Sequence, residues 1–398
     1  MLFACQLMCR IMRGRTKKFL GLKKKTGISF LALLVCCLAI LPYQGEIRGW
    51  QRKKRAYRRL FSCVEQGHRT AKTLPLGAVF PAVLQDVPLG ESTGIVVGAK
   101  TVTIRNVPGR YYNASLIEHE KGYLLFFRYD VIDSSYIGCA ELDATFEQTD
   151  KEFKTINTQS HHAEDPRLFK RGEDLYLVYN DCSTHHPGYR TMRIAGLNRE
   201  DCSLNFMTDL DLHAKPIEKN WVPFEWMDAN NQRNVYFEYY LYPRKILQLA
   251  NAQLNEAPQL SFLEALPAQK LYWPHVWGRI RGGTNVCRIG DQFLGFFHSN
   301  FRTQDKSLWY VMGAYTFEAT PPFRLTAISP YPILFEGIYG ALPGTKAALH
   351  CIYPCGYVIH EQGGKEWIQL SCGENDSSIK IVTLDKEALL KTLTRLNL

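Results

Sequence analysis

One local pattern recurs five times between residues 112 and 371, and it limits the fold more than any other feature of this 398-residue chain. Each unit has a polar or glycine-containing entry, a short apolar strand, a charged turn and an aromatic strand. The strand pairs are 112–117 with 123–128, 164–169 with 175–179, 219–224 with 235–240, 282–287 with 293–298, and 353–359 with 367–371. The units start roughly 50 to 70 residues apart, the period at which β-propeller blades repeat. A blade is a small antiparallel sheet that cannot bury both faces alone, and blades packed around an axis supply the missing surface. Tyrosine and phenylalanine, 21 of each, suit such strands. A β-sandwich also uses strands of this kind, but it gives no reason for a polar residue at the same place in every unit. The expectation is an all-β, five-bladed propeller. Helical periodicity is confined to one apolar N-terminal segment and the tail 386–396.

In a propeller the innermost strands converge on the axis. Polar groups at the strand entries then face one pocket, although they are far apart in sequence. Asn113, Asp165, Lys219, Thr284 and the residues after Ser371 are so placed. Asp165 leads them. It stands in His161-His162-Ala163-Glu164-Asp165-Pro166-Arg167. Pro166 biases it towards extended backbone, and Arg167 can orient a carboxylate or bind a sugar hydroxyl. Cleaving a glycosidic bond needs an acid to protonate the leaving oxygen, a task Asp165 is equipped for. A structural Asp165–Arg167 ion pair at a blade start accounts for the same residues equally well. Lys219 reads as a pocket cation or as a surface charge. His298, ending an aromatic strand, reads as a ligand for an anion or sugar or as a strand cap. Asp376 follows Gly373 in a turn, where an acid can grip hydroxyls or simply face solvent. Trp221, Trp273 and Trp277 are candidates for stacking on sugar rings, with core packing as the default. His161, His162, His185 and His186 do not suggest a metal site, because neighbouring strand side chains point to opposite faces. No metal or cofactor is expected.

The formal net charge is +10, yet the excess is local: fifteen Lys and Arg and the single acid Glu46 precede residue 60. The rest of the chain is slightly acidic, so the charge does not point to nucleic acid. The basic residues flank an uncharged segment, 26–45, close to the ~20 apolar residues that cross a bilayer as a helix. Basic flanks of this kind contact anionic headgroups. A cleaved signal peptide is the competing reading, but no clear small-x-small cleavage site follows. The expected organisation is a basic tail (1–25), a transmembrane anchor (26–45), a basic connector (46–95) and a catalytic propeller (96–398). Basic residues lie on both sides of the span, so the positive-inside rule barely discriminates. The acid-free N-flank favours a cytoplasmic N-terminus, and the side of the catalytic domain stays open. The cysteines beyond the span form no compact disulfide framework and leave the compartment unsettled. The sequons Asn113-Ala114-Ser115 and Asn375-Asp376-Ser377 fall in segments assigned to the site, which argues against a glycosylating lumen.

Taken in order, these segments resemble glycoside hydrolase family 130, the β-mannoside phosphorylases and mannosidases, and the related mannosyltransferases of glycosyltransferase family 108. The resemblance runs from about Gly109 to Asp385. Gly109-Arg110-Tyr111-Tyr112-Asn113-Ala114 is similar to the family's first-blade entry, with Arg128 ending that strand pair. Glu164-Asp165-Pro166-Arg167 matches the most characteristic motif, whose Asp is the proton donor. Lys219-Asn220 is similar to the third-blade Lys-Asn, and Gly282-Gly283-Thr284 with His298 to the fourth-blade entry and its strand-end His. Tyr353-Pro354-Cys355-Gly356 and Ser371-Cys372-Gly373-Glu374-Asn375-Asp376 resemble the fifth blade, whose Asp binds the sugar. The resemblance implies a five-bladed propeller without metal, with Asp165 catalytic and its proton relayed by a substrate hydroxyl. It implies Asn113, Arg128, Arg167, Thr284 and Asp376 around the sugar, and Lys219, Arg244 and His298 on phosphate. A mannose-containing glycan or sugar phosphate is the implied substrate. One departure stands out: phosphorylases carry a His-Arg pair after the third blade, whereas Tyr242-Pro243-Arg244 supplies only the Arg. The form of residues 219–224 and the anchor lean towards the transferase branch. The expected function is a membrane-anchored enzyme making or cleaving β-mannoside-type bonds. A non-catalytic sugar-binding propeller and a plain β-mannosidase are the alternatives. A hydrolase needs a carboxylate base opposite Asp165, for which Glu225 and Glu238 are the third-blade candidates.

Overall fold

The computed structural model describes residues 80–396, apart from 211, 213–214, 251–257, 268, 343 and 345–347. Each expected strand pair forms the heart of an antiparallel sheet, and the sheets are arranged as propeller blades. Blade 1 comprises Arg110–His119, Gly122–Val131, Ser134–Leu142 and Lys154–Thr155. Blade 2 comprises Glu164–Arg171, Asp174–Cys182, Arg190–Leu197 and Leu204–Leu210. Blade 3 comprises Val222–Met227, Arg233–Tyr240, Lys245–Leu249 and Leu260–Phe262. Blade 4 is built on Gln292–Arg302 and Leu308–Glu318, with Arg281–Gly282 and Cys287–Ile289 as a broken inner strand and Leu325–Ile328 outside. Blade 5 comprises Ile352–Gln362, Lys365–Glu374 and Ser378–Asp385.

The fourth strand of blade 5 comes from the other end of the domain. Val96–Val102 pairs antiparallel with Ser378–Asp385, so the first strand completes the last sheet and ties the ends of the ring together. The tail is helical over Lys386–Thr392, capped by Asp385, whose side chain accepts from Ala388 N at 3.0 Å. It ends in Thr394–Arg395, which adds to the outer side of blade 4.

Alternating apolar residues bury one face of each sheet against its neighbour. Phe126 and Ile137 of blade 1 meet Leu168 and Leu177 of blade 2. Val178 and Ile194 of blade 2 meet Trp221 and Phe237 beside blade 3. Phe224, Phe297, Tyr357 and Leu370 join blades 3, 4 and 5, and Leu116 and Phe127 join blade 1 to Val358 and Ile379 of blade 5. Trp221, Trp273 and Trp277 are all buried in these cores, so core packing, not sugar stacking, is their role. Cys139 and Cys202 form a disulfide between blades 1 and 2.

Residues 80–95, assigned from sequence to the connector, pack on the propeller. Phe80, Leu84, Val87 and Ile95 are buried in the core of blades 3 to 5, and Trp277 Nε1 donates to Val83 O at 2.9 Å. Among the described residues no helix is long and apolar enough to cross a membrane. The segment 26–45 lies outside the described residues. Leu84 has no exposed surface, so Leu84→Ala is expected to cost roughly 2–5 kcal/mol of stability. Urea unfolding of the variant against the parent chain checks this. An unchanged midpoint would mean that 80–95 is an appendage.

Candidate active site

Three of the strand entries bend out of regular pairing where they reach the axis. Register shifts fall between Tyr112 and Ser115, between Glu164 and Arg167, and between Pro354 and Gly356. Asn113 and Asp165 sit in the first two of these bulges with positive φ, 49° and 54°, and Asn220 before blade 3 has φ 66°. Asn and Asp tolerate this region better than other residues with a Cβ. Extended backbone was expected at Asp165 because of Pro166. The bulge overrides that preference and re-aims the carboxyl.

Asp165 meets Asn113 and Arg128 from blade 1. Asn113 Nδ2 donates to Asp165 Oδ1 at 2.8 Å, and Arg128 Nη1 lies 3.7 Å from the same oxygen. Oδ2 receives no hydrogen bond from the described residues, and the Asp165 side chain keeps 13% of its surface exposed. Burial pulls its pKa up, but Arg128, Lys219 and the Asn113 hydrogen bond together outweigh burial and hold it below the ordinary 3.8. The resting group is a carboxylate with one oxygen held and the other open.

The surrounding charges form a network. Arg128 donates from Nε to Asp130 Oδ1 at 2.9 Å and from Nη2 to Ser135 Oγ at 3.0 Å. Its Nη2 also lies 3.5 Å from Glu164 Oε1. Burial would weaken its charge, but Asp165, Glu164 and Asp130 outweigh that and keep it cationic. Glu164 also pairs with Lys219 at 2.7 Å and with Arg190 at 3.2 Å. Asp130 accepts from Tyr112 OH at 2.6 Å and pairs with Arg110 at 3.6 Å. Arg110 Nη1 donates to the backbone oxygen of Asp376 at 3.3 Å, which brings the blade 5 turn to the same cluster. Glu164, Arg190, Asp130 and Tyr112 were not singled out in the sequence. Glu164 sits inside the quoted motif, and a carboxylate beside a candidate acid is the signal that was available.

Other expected site residues have different positions. Arg167 is 1% exposed and binds no free space. Its Nε donates to Gly283 O, and its Nη2 to Tyr353 OH at 3.0 Å and Asn220 Oδ1 at 3.3 Å. It is not paired with the Asp165 carboxylate in the way the structural reading required: its nearest contact there is Nη1 to Asp165 O at 3.5 Å. Thr284 is fully buried, donates to Asn285 O at 2.6 Å and accepts from Phe296 N at 3.1 Å, so its hydroxyl shapes the blade 4 entry. Arg244 stands apart: it is buried between blades 3 and 4, bonded to Glu238 and Phe323 O and stacked on Phe317. It does not join the charge network, because its side of the blade 3 hairpin faces the blade 4 core. His298 is buried against Tyr353, with ring centroids 4.5 Å apart, and its Nδ1 has no partner. Burial, with Arg281 and Arg167 adding, pushes its pKa well below 6.5. The shift favours the neutral imidazole. Glu225 is held by Arg233 and Gly172 N, and Glu238 by Arg244 and Tyr315. Neither faces Asp165 as a second carboxylate. Among the described residues no group of three His, Cys, Asp or Glu is placed to hold a metal. The sequon residues Asn113 and Asn375 are 6% and 1% exposed, and both are hydrogen-bonded inside the site region.

Solved structures share this ring of five sheets. A candidate glycoside hydrolase of Parabacteroides distasonis superposes with a TM-score of 0.53 at 13% identity, covering 74% of this chain and 99% of its own. The β-1,2-mannobiose phosphorylase of Listeria innocua gives 0.50 at 14%, covering 76% of this chain and 97% of its own. A GDP-Man-dependent mannosyltransferase of Leishmania mexicana gives 0.48 at 12%, covering 74% and 93%. At these identities the first two matches establish a common fold. No protein-family model matches the sequence, and no curated protein matches it.

Two outcomes follow from this geometry. A Cβ at Gly373 would lie 1.8 Å from Asn113 Oδ1 and 2.8 Å from Asn113 N. Gly373→Ala is therefore expected to displace Asn113 and lower turnover roughly 10²-fold, the scale of a 1 Å misplacement. A melting curve run beside the assay separates this from global unfolding. The second outcome concerns acid. Burial raises and Arg128 and its hydrogen-bond partners lower the pKa of Asp130, with a net fall below 3.8. A carboxyl depressed on folding stabilises above its unfolded value and loses that contribution as pH falls through the folded one. Asp130→Asn should flatten the loss of stability below about pH 4, measured by urea midpoints across pH.

Proposed function

We propose that this chain is a carbohydrate-active enzyme that makes or cleaves β-mannoside-type bonds, with Asp165 moving the proton. The observation that carries the reading is the Asp165 carboxylate itself. One oxygen is held by Asn113 and Arg128, and the other has no hydrogen-bond partner among the described residues. No closed ion pair forms between Asp165 and Arg167, whose donors go to Gly283 O, Tyr353 OH and Asn220 Oδ1, which supports an enzyme over a structural role.

The ionised state supports the synthetic direction. An acceptor hydroxyl gives its proton to Asp165 Oδ2, directly or through a substrate hydroxyl. The acceptor oxygen then bonds to the anomeric carbon as the bond from that carbon to a phosphate oxygen breaks, and the electron pair leaves with the phosphate. Cleavage is the reverse, with protonated Asp165 as the acid. Arg128 keeps Asp165 oriented, and Lys219 carries positive charge at the pocket edge. Arg110 donates to the backbone oxygen of Asp376 at 3.3 Å, which supports a role for the blade 5 turn beside the sugar. The fold shared with a mannobiose phosphorylase supports a mannoside substrate. The plain hydrolase reading finds less support, because Glu225 and Glu238 are committed elsewhere. We also propose that residues 26–45 tether the enzyme to a membrane, with its sidedness open.

Losing a general acid–base usually costs 10²- to 10⁴-fold, so Asp165→Asn should fall by about that much with its fold intact. The assay uses the full-length chain with mannose 1-phosphate, GDP-mannose and a panel of acceptors. Activity within about tenfold of the parent sinks the role of Asp165. Product from mannose 1-phosphate selects phosphorylase chemistry, and product only from GDP-mannose selects a transferase.

A further inference from the structure

The two ends of the propeller carry different surfaces. The charged turns that separate the strand pairs, at residues 118–122, 170–174, 228–233, 288–291 and 362–365, all lie at the end away from Asp165. The connections at the Asp165 end carry exposed apolar side chains instead. Ile132 tips the hairpin between Gly122–Val131 and Ser134–Leu142 and is 92% exposed. Tyr189 is exposed in the loop before Arg190–Leu197, and Ile217 in the crossing from blade 2 to blade 3. Leu342, in the crossing from blade 4 to blade 5, is 73% exposed. The last two are fixed to this end: Ile217 bridges to Arg190, and Leu342 O accepts from Ser377 Oγ at 2.5 Å, next to Asp376.

Ile132 is out of place for folding alone. Its φ is 55°, a conformation in which a β-branched residue is strained and Gly or Asn is the ordinary occupant of a tight hairpin. Its side chain is almost wholly exposed, so packing gives nothing in return. The apolar tips stand on separate connections around the ring and do not gather into one core patch of the kind a protein partner buries. Single aliphatic and aromatic side chains on loop tips suit shallow insertion among lipid headgroups. The path of the chain points the same way. Phe80 packs on Trp309 and Tyr339, with ring centroids 6.4 and 6.2 Å apart. Trp309 opens Leu308–Glu318 just past the blade 4 turn at the Asp165 end, so the chain upstream of Phe80 leaves the domain from this end. That upstream chain contains the basic run 48–59 and the uncharged segment 26–45.

We propose that the Asp165 end of the propeller docks on the surface of an anionic bilayer, with Ile132, Tyr189, Ile217 and Leu342 dipping among the headgroups. The basic run 48–59 supplies attraction to anionic lipid beside this collar. The end of the axis that holds Asp165 then faces the headgroups, and the charged turns of the far end face water. The argument from the path of the chain rests on the membrane tether proposed above; the exposed collar does not.

The test is photo-crosslinking of the full-length chain in nanodiscs of phosphatidylcholine and phosphatidylserine. The photoreactive residue p-benzoylphenylalanine is placed, one position at a time, at Ile132 and Leu342. Val97 and Met227, exposed at the far end, serve as controls, and Leu34 reports on the tether. Melting curves confirm that each chain is folded, and mass spectrometry reads the adducts. The expected result is lipid adducts at Ile132 and Leu342 several-fold above those at Val97 and Met227. Equal yields at the two ends, no lipid adduct at Ile132 and Leu342, or adducts there to a second copy of the chain overturn the docking surface. Lipid adducts at Leu34 alone keep the tether and remove the collar. Adducts at Ile132 and Leu342 with none at Leu34 keep the collar and remove the tether.

Discussion

A single buried guanidinium holds the centre of this ring. Arg167 belongs to blade 2, but its donors reach Asn220 at the entry to blade 3, Gly283 O in blade 4 and Tyr353 OH in blade 5. Burying a charge is costly unless it is fully hydrogen-bonded. Here the cost is offset only if all of those entries arrive together. Gly283 has to be glycine for the approach, since a Cβ there would lie 2.6 Å from Phe296 O and 3.0 Å from Pro354 O. Arg167 therefore makes the axis a shared object and not five loose ends. Asp165, two residues earlier on the same strand, inherits its position from that clamp.

The remaining site geometry follows from the bulges. A regular inner strand would point alternate side chains into the sheet interfaces. Shifting register at Asn113 and Asp165 turns both groups towards the axis and towards each other. Ser115, just past the blade 1 bulge, accepts from Leu168 N at 3.1 Å, so the two bulged strands are also stitched side by side. The charges then select the protonation state of Asp165: burial works against its charge, but Arg128 and Lys219 outweigh burial and favour the carboxylate. Fold, clamp, bulge and charge thus act in sequence.

The strand pairs were legible because each charged turn separates an apolar from an aromatic run, as at residues 118–122 and 170–174. Asn113, Arg128, Asp165 and Lys219, which meet in one charged cluster, were legible because they recur at strand entries and ends. The closing strand Val96–Val102 was not, since its partner lies at the far end of the chain and a pairing that distant leaves no local signal. Arg244 shows a different limit. Its charge is visible in the sequence, but which face of the hairpin it occupies depends on the register shift between Glu238 and Tyr240. His298 was recognised as a strand-end histidine, whereas its neutrality comes from burial among Tyr310, Tyr353 and two arginines.

If Asp165 moves the proton, its open oxygen meets a sugar at the axis. A crystal structure of the Asp165→Asn chain soaked with β-1,2-mannobiose tests it most directly. The disaccharide is expected at the axial end of blades 1, 2 and 5. A sugar oxygen should lie within about 3.2 Å of the residue 165 side chain, the reach of a proton-transfer partner, and Asn113 and Arg128 should be in contact with the same ring. A sugar bound elsewhere, or an axial pocket left empty at saturating ligand, would contradict it.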